Sequence, residues 1–215
     1  MKLEEMADFF AARVAGYDEH MINNVEGCRE GYLKMASLVP QNAESLLDLG
    51  CGTGLELDEI FKLLPQIKVT GIDLSEAMLD KLREKHSDKD IKLICGDYFS
   101  TAFGEDTYDC CVSFETMHHF SHVKKIALYK KIRSSLKDGG SYIECDYMVD
   151  SQEEEDFYFA ENARLRKEQN ISNDVICHFD TPCTIENQIE MLKTAGFNTV
   201  EQVFRIGCTT ILVAK

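Results

Sequence analysis

Apolar runs broken by glycine and polar turns lay out the chain. Leu46-Leu47-Asp48-Leu49 predicts a short buried strand. Gly50-Cys51-Gly52-Thr53-Gly54 follows as a turn, and Leu55 to Leu64 has the spacing of an amphipathic helix. The alternation then repeats. Ile67 to Ile72 predicts a second strand, and Leu74-Ser75-Glu76-Ala77-Met78-Leu79 opens a helix with Ser75 as its N-cap. Ile91 to Cys95 and Tyr108 to Phe114 predict a third and a fourth strand. Val123 to Leu136 reads as a basic amphipathic helix, closed by Lys137-Asp138-Gly139-Gly140 before a fifth strand, Ser141 to Tyr147. Strands alternating with helices predict an α/β fold with a parallel sheet.

The flanks read differently. Residues 4–38 predict helices, with Phe9, Phe10, Val14, Tyr17, Met21 and Ile22 as a broken stripe and Gly16 and Gly27 as breaks. Glu26 to Leu38 is a second helix, ended by Pro40. This piece precedes the first strand, so residues 1–40 are expected to lie as a lid over the carboxyl edge of a sheet domain, 41–215. Asp150 to Asn170 predicts a helix whose acidic start, Glu153-Glu154-Glu155-Asp156, suits the helix dipole. Ile171 to Pro182 holds Asn173, Cys177, His178, Phe179 and Asp180, and residues 148–183 are expected to shape a pocket. Thr184 to Ala195 predicts a helix closed by Gly196, and Thr199–Arg205 with Cys208–Ala214 an antiparallel pair.

The 215 residues suit one α/β domain with small additions. A net charge of −15, from 38 acids against 23 bases, argues against a nucleic-acid partner, since no basic run exceeds Lys124-Lys125 or Lys130-Lys131. No apolar run is long enough to span a membrane. Met1-Lys2-Leu3-Glu4-Glu5 is charged at once, unlike a secretory leader. Nine cysteines without a C-x-x-C pair give no disulfide framework and no zinc motif, so a reduced, cytoplasmic chain is expected. Cys95, Cys110, Cys111 and Cys145 fall in strands, where a free thiol is a small buried hydrophobe.

The glycine turn carries the chemistry. In a parallel α/β sheet the ligand sits at the carboxyl ends of the strands, and the first βα turn is the usual place. Gly50-x-Gly52-x-Gly54 is one residue tighter than a dinucleotide fingerprint and lacks the Lys-Ser/Thr of a P-loop. Asp48, at the strand end, is a poor neighbour for a pyrophosphate and a good one for an ammonium group. Asp73 comes 19 residues after Gly54, close to the ~20 expected of an acid that accepts from ribose hydroxyls. Leu74 and Met78 can pack on a base or on the core. Tyr17-Asp18 can reach the ligand, or Tyr17 can simply pack the lid. His118 and His119 leave the fourth strand just after Phe114, where a neutral imidazole can take a proton. The alternative for them is one packed ring and one solvated ring. No third ligand stands at helical spacing from them, so no metal is expected.

Asp48-x-Gly50-x-Gly52-x-Gly54, with Gly71-Ile72-Asp73-Leu74-Ser75 and Gly96-Asp97, resembles motifs of the class I S-adenosylmethionine-dependent methyltransferases. The resemblance implies a Rossmann-like seven-stranded sheet, order 3-2-1-4-5-7-6 with strand 7 antiparallel, and helices on both faces. It implies S-adenosylmethionine as cofactor and S-adenosylhomocysteine as product. It also implies a cofactor site of Tyr17, Asp48, Gly50, Cys51, Gly52, Gly54, Asp73, Leu74, Met78, Gly96, Asp97, Tyr98 and Phe114, with Asp97 on the adenine amino group. His118 and His119 are the catalytic candidates. A closer similarity is to the branch that contains carboxy-S-adenosylmethionine synthase, which acts in tRNA wobble-uridine modification. It rests on the N-terminal layout, Lys193-Thr194-Ala195-Gly196-Phe197 and the ending Leu212-Val213-Ala214-Lys215. In that synthase an arginine of the late helix binds the extra carboxylate, and Met191 stands there in this chain, with Arg205 and Arg164 as substitutes. The expectation is methyl transfer to a small-molecule acceptor by a monomer or homodimer. The rivals are a carboxyl-transferring synthase or tRNA-modification enzyme, a nicotinamide-dinucleotide oxidoreductase, and a non-catalytic binder of S-adenosylmethionine.

Overall fold

Strand parity decides which face each side chain takes. The computed structural model describes residues 1–215. Strand β2, Ser45–Leu49, follows an N-terminal strand β1, Glu4–Glu5, and helices α1, Met6–Ala11, α2, Tyr17–Asn24, and α3, Cys28–Leu38. On β2, Leu46 joins a core with Tyr32 and Met35 of α3 and with Leu57 and Ile60 of α4, Leu55–Leu63. Leu47 and Leu49 point the other way, into a core with Leu128, Tyr129 and Ile132 of α6, His122–Ser135, and Leu192 of α8, Ile185–Thr194. Two apolar faces on one sheet require helices on both sides.

The other strands of the main sheet are β3, Lys68–Asp73, β4, Ile91–Cys95, β5, Tyr108–Phe114, β6, Leu136–Val149, β9, Val200–Ile206, and β10, Thr209–Ala214. They lie in the order β4-β3-β2-β5-β6-β10-β9. Outside that row are β7, Cys177–His178, and β8, Cys183–Thr184, which pairs with the end of β6. β2 to β6 pair in parallel, and β10 runs antiparallel to both neighbours. This is the 3-2-1-4-5-7-6 order that the resemblance implied. Helix α5, Glu76–Lys85, connects β3 to β4, and α7, Gln152–Gln169, follows β6. No helix is long and apolar enough to cross a membrane.

Several local expectations need correction. Residues 4–38 are not helical throughout: Glu4–Glu5 pairs antiparallel with β7, Cys177–His178. The pairing partner is distant in sequence, so local periodicity carries no trace of it. Lys137-Asp138-Gly139-Gly140 does not cap α6 but belongs to β6, which starts at Leu136 opposite Tyr108 with a register shift before Cys110. Ser75 precedes α5, yet its hydroxyl caps nothing and is buried without a partner. Lys125, placed on a basic amphipathic helix, is buried and donates to Cys183 Sγ at 3.3 Å and Gln188 Oε1 at 3.1 Å. Cys95 is exposed, whereas Cys110, Cys111 and Cys145 are buried, and all nine thiols are free.

One glycine sets how closely β2 and β3 sit against the turn that follows. A Cβ on Gly71 would lie 2.8 Å from Cys51 Sγ and 2.9 Å from Leu93 Cδ2. Gly71→Ala should therefore lower stability by about 1–3 kcal/mol. Urea unfolding measures it, and an unchanged midpoint would contradict this packing.

Candidate functional site

The site begins where β2 and β3 stop. Gly50 and Cys51 both donate their N–H to Ile72 O, at 2.8 and 3.3 Å, which folds the turn over the neighbouring strand. Gly50, Gly52 and Gly54 all take positive φ, 76°, 45° and 78°. At Gly50 a side chain would also strike Thr116 Oγ1 at 2.7 Å and Tyr98 Oη at 2.8 Å. A Cβ on Gly52 would meet nothing nearer than Gly50 O at 3.8 Å and Tyr17 Cε1 at 4.0 Å, so the turn leaves room above its Cα. Asp73 then locks the two strand ends together: one carboxylate oxygen accepts from Gly52 N–H at 3.0 Å and the other from Ser75 N–H at 2.8 Å. Each oxygen keeps a lone pair for a further donor. Burial raises the Asp73 carboxyl above its ordinary value, against the N–H groups of Ser75, Gly52 and Leu74.

Above this turn lies a cleft of about 510 Å³, including its open mouth. Gly50, Gly52, Asp73, Leu74, Met78, Tyr98, Phe114 and Tyr17 line it, all of them among the residues that the resemblance assigns to the cofactor. Met6, Phe10, Glu115, Thr116, Phe120 and Ile176 line it as well, and the sequence reading missed them. Glu115 is the most informative of these. It sits at positive φ, 49°, and one of its oxygens is buried without a partner. Burial pushes its carboxyl up to about 8, with His118 pulling the other way. The cleft thus offers two carboxylates and no lysine or arginine.

Four expected cofactor contacts lie elsewhere, and Gly96 with them. Asp48 is fully buried and lines neither this cleft nor the larger cavity beside it. It shares the face of Leu46, where α4 packs, and there it meets Glu56. Burial and then the Glu56 charge hold Asp48 well above the carboxylate range, so it keeps its proton and shares it with Glu56. Cys51 packs inward on Gly71. Gly54 serves α4 as its left-handed N-cap residue against Leu82. Gly96 and Asp97 are not on the wall: Asp97 Oδ1 accepts from Phe99 N–H at 3.0 Å and shapes the loop that presents Tyr98.

The cleft is covered by chain from both flanks. Phe10 meets Tyr17 edge-to-face, and Asp18 accepts from Thr53 Oγ1 at 2.5 Å while pairing with Lys85 at 3.3 Å. The N-terminal segment is thereby tied to the glycine turn. Beside it opens a larger cavity of about 1770 Å³, including its mouth, lined by Phe9, Arg13, His20, Glu115, His118, His119, Tyr147, His178 and Asp180 among others. Tyr17, Phe10, Glu115 and His119 belong to both walls. Of the 171–182 insertion, Ile176, His178 and Asp180 reach these cavities, and Asn173 does not.

The two histidines differ. His118 Nδ1 is 2.6 Å from Asp146 Oδ1, a buried acid on β6. Burial alone would lower His118, but the charges of Asp146 and Asp180 outweigh it and raise the ring well above its ordinary value. His119 is lowered well below it, first by burial and then by the His118 charge, so it stays neutral. Asp146 was read only as part of a strand. A charged residue near the carboxyl end of an otherwise apolar strand is the signal that marks it.

Residues 46–140 match a family described as "Methyltransferase domain". The chain is 26% identical, over 94% of its length and 92% of the relative's, to carboxy-S-adenosyl-L-methionine synthase of Campylobacter lari. It is 31% identical, over 46% of its length and 35% of the relative's, to malonyl-[acyl-carrier protein] O-methyltransferase of Priestia megaterium. Its fold matches the DhpI complex with SAH at a TM-score of 0.70 and 14% identity, over 97% of this chain and 94% of that one.

The Asp48–Glu56 pair makes stability depend on pH. Burial pushes Glu56 from 4.5 up to about 7. Across that window the folded chain keeps a proton that the unfolded chain has released, so stability falls as pH rises. The fall is on the order of 2–3 kcal/mol. Urea midpoints at pH 5 and pH 8 should differ less in Glu56→Gln than in the wild type, and equal differences would contradict the shared proton.

Proposed function

We propose that the chain is a class I S-adenosylmethionine-dependent methyltransferase that transfers a methyl group from S-adenosylmethionine to a small-molecule nucleophile; the methyltransferase-domain match, the relatives and the fold support it. The observation that carries this reading is the acidity of the cleft. Asp73 and Glu115 line it, one Glu115 oxygen has no hydrogen-bond partner, and no guanidinium or ammonium lines it. That suits a ligand with an ammonium and a sulfonium, and it leaves a carboxylated sulfonium without a partner for its extra carboxylate. Met191 is buried among core side chains. Arg164 pairs with Glu161 and Glu168 on the surface, and Arg205 pairs with Asp150 at 2.6 Å. Arg13, on the wall of the larger cavity, lies over the Phe9 ring and pairs with Glu4.

Bound S-adenosylmethionine supplies a methyl group on a positively charged sulfur. The residues assigned to it are the Gly50–Gly52 turn and Glu115 for the methionine part, Asp73 for the ribose, and Leu74, Met78, Tyr98 and Phe120 for the adenine. Phe10 and Tyr17, from a lid formed by residues 1–40, exclude water. The acceptor enters the larger cavity, where His119 and His118 face its nucleophilic atom. The leaving group is neutral, so alignment and dryness carry most of the rate, and a base serves only an acceptor that must lose a proton. Two further features support a small acceptor in a reduced cytoplasm. The net charge of −15 repels a phosphate backbone, and all nine thiols are free.

Methyl-labelled S-adenosylmethionine incubated with the protein and a small-molecule extract should give a labelled low-mass product and S-adenosylhomocysteine. Label in nucleic acid or protein would overturn the acceptor class, and cofactor binding without turnover would mark a binder only. Asp73→Ala should weaken S-adenosylhomocysteine about 10–100-fold in calorimetry, the value of losing hydrogen bonds to a charged group. Unchanged affinity would remove Asp73 from the site.

A further inference from the structure

We propose that His118, His119, His178 and Asp180 form a binding site for one divalent transition-metal ion, of the zinc or iron(II) kind, in the wall of the larger cavity. Three ring nitrogens converge on one carboxylate oxygen. Asp180 Oδ1 lies 3.5 Å from His118 Nε2, 3.6 Å from His119 Nδ1 and 3.8 Å from His178 Nε2. The ligand atoms of His118, His119 and Asp180 all lie within 4.8 Å of one another, and His178 stands beside this trio, reaching it through Asp180. Metal–nitrogen bonds of about 2.0–2.1 Å set tetrahedral ligand atoms about 3.3–3.4 Å apart. The cluster is a few tenths of an ångström wider than that around Asp180 Oδ1.

The protein leaves these atoms without other partners. His119 Nδ1 and Asp180 Oδ1 are buried with no hydrogen bond, and the His119 side chain is only 5% exposed. A proton on His118 would satisfy one of the three contacts to Asp180 and leave the other two. A metal ion satisfies all of them, because imidazole lone pairs and a carboxylate are its natural ligands. The surroundings match as well. Asp146 holds His118 Nδ1 at 2.6 Å, which fixes Nε2 as the ligand atom in the manner of a carboxylate–histidine–metal arrangement. Glu115 lies 3.7 Å from the same Nδ1, a second buried carboxyl beside the cluster.

The arrangement is also rigidly built from distant segments. Thr181 donates both its N–H and its hydroxyl to the His118 carbonyl, each at 2.7 Å, so the Asp180 strand end is clamped to the histidine turn. Phe9 stacks on His178 at 3.5 Å, and His178 pairs with Glu4 across β1 and β7. The site opens on the cavity assigned to the acceptor, so an acceptor oxygen or sulfur would enter as a fifth ligand, its pKa lowered by the ion. That last consequence rests on the methyl-transfer reading; metal binding does not.

The test uses the full chain without an affinity tag, stripped with a chelator and titrated with Zn²⁺ and with Co²⁺ as a spectroscopic probe. One ion per chain, with the visible absorption of nitrogen- and oxygen-bound Co²⁺, is the expected result. His178→Ala and Asp180→Asn should each abolish the Co²⁺ spectrum at unchanged circular dichroism. Asp146→Asn, a positioning change, should weaken Zn²⁺ by about 10–100-fold. No uptake, or equal uptake by wild type and His178→Ala, would overturn the site. S-adenosylhomocysteine calorimetry on the metal-free chain reports separately on the cofactor cleft, so failure of one reading is distinguishable from failure of the other.

Discussion

The carboxylate of Asp73 holds the functional end of this protein together. By accepting from Gly52 N–H and Ser75 N–H it joins the turns after two adjacent parallel strands. Backbone bonds from Gly50 and Cys51 to Ile72 O tie the first turn to the neighbouring strand, and Asp73 extends that link to Gly52 and Ser75. Once it does, the glycine turn stands open at Gly52, the Tyr98 loop closes against Thr116, and a cleft exists at the carboxyl edge of the sheet. The same carboxylate is half-spent on the protein and half-available to a ligand. This double use explains why an acid, and not an amide, is needed at this strand end.

The site is an accumulation of negative charge that burial makes costly. Asp48, Glu56, Glu115, Glu144 and Asp146 are all largely removed from water, and burial raises the carboxyls of Asp48, Glu56, Glu115 and Glu144. The Asp48–Glu56 pair resolves its share by keeping a proton. Glu115 and the Asp146–His118–Asp180 group face cavities instead, where a cation relieves them. A sulfonium ligand in one cavity and a metal ion in the wall of the next answer the same electrostatic demand.

The sheet and its glycine turn were legible because their causes are local. Apolar runs of period two, a turn that needs positive φ at Gly50, Gly52 and Gly54, and an acid one strand later all lie within residues 46–73. Asp48 lies off the cleft because strand parity puts it on the face of Leu46, towards α4. The acceptor side was legible only as a list of polar residues in the 171–182 insertion. What joins His178 and Asp180 to His118 is the β1–β7 pairing and the Thr181 clamp, both bridging tens of residues or more. No spacing rule within the chain encodes that meeting, which is why a search at helical spacing found no third ligand.

The central claim is that the acidic cleft takes a methyl-bearing sulfonium and nothing with an extra carboxylate or a pyrophosphate. Native mass spectrometry of the intact chain, as isolated and after incubation with an equimolar mixture of S-adenosylmethionine, its carboxylated derivative and NAD, tests this most directly. The account predicts one molecule of S-adenosylmethionine or S-adenosylhomocysteine per chain. Retention of the carboxylated sulfonium or of NAD in preference to these would contradict it.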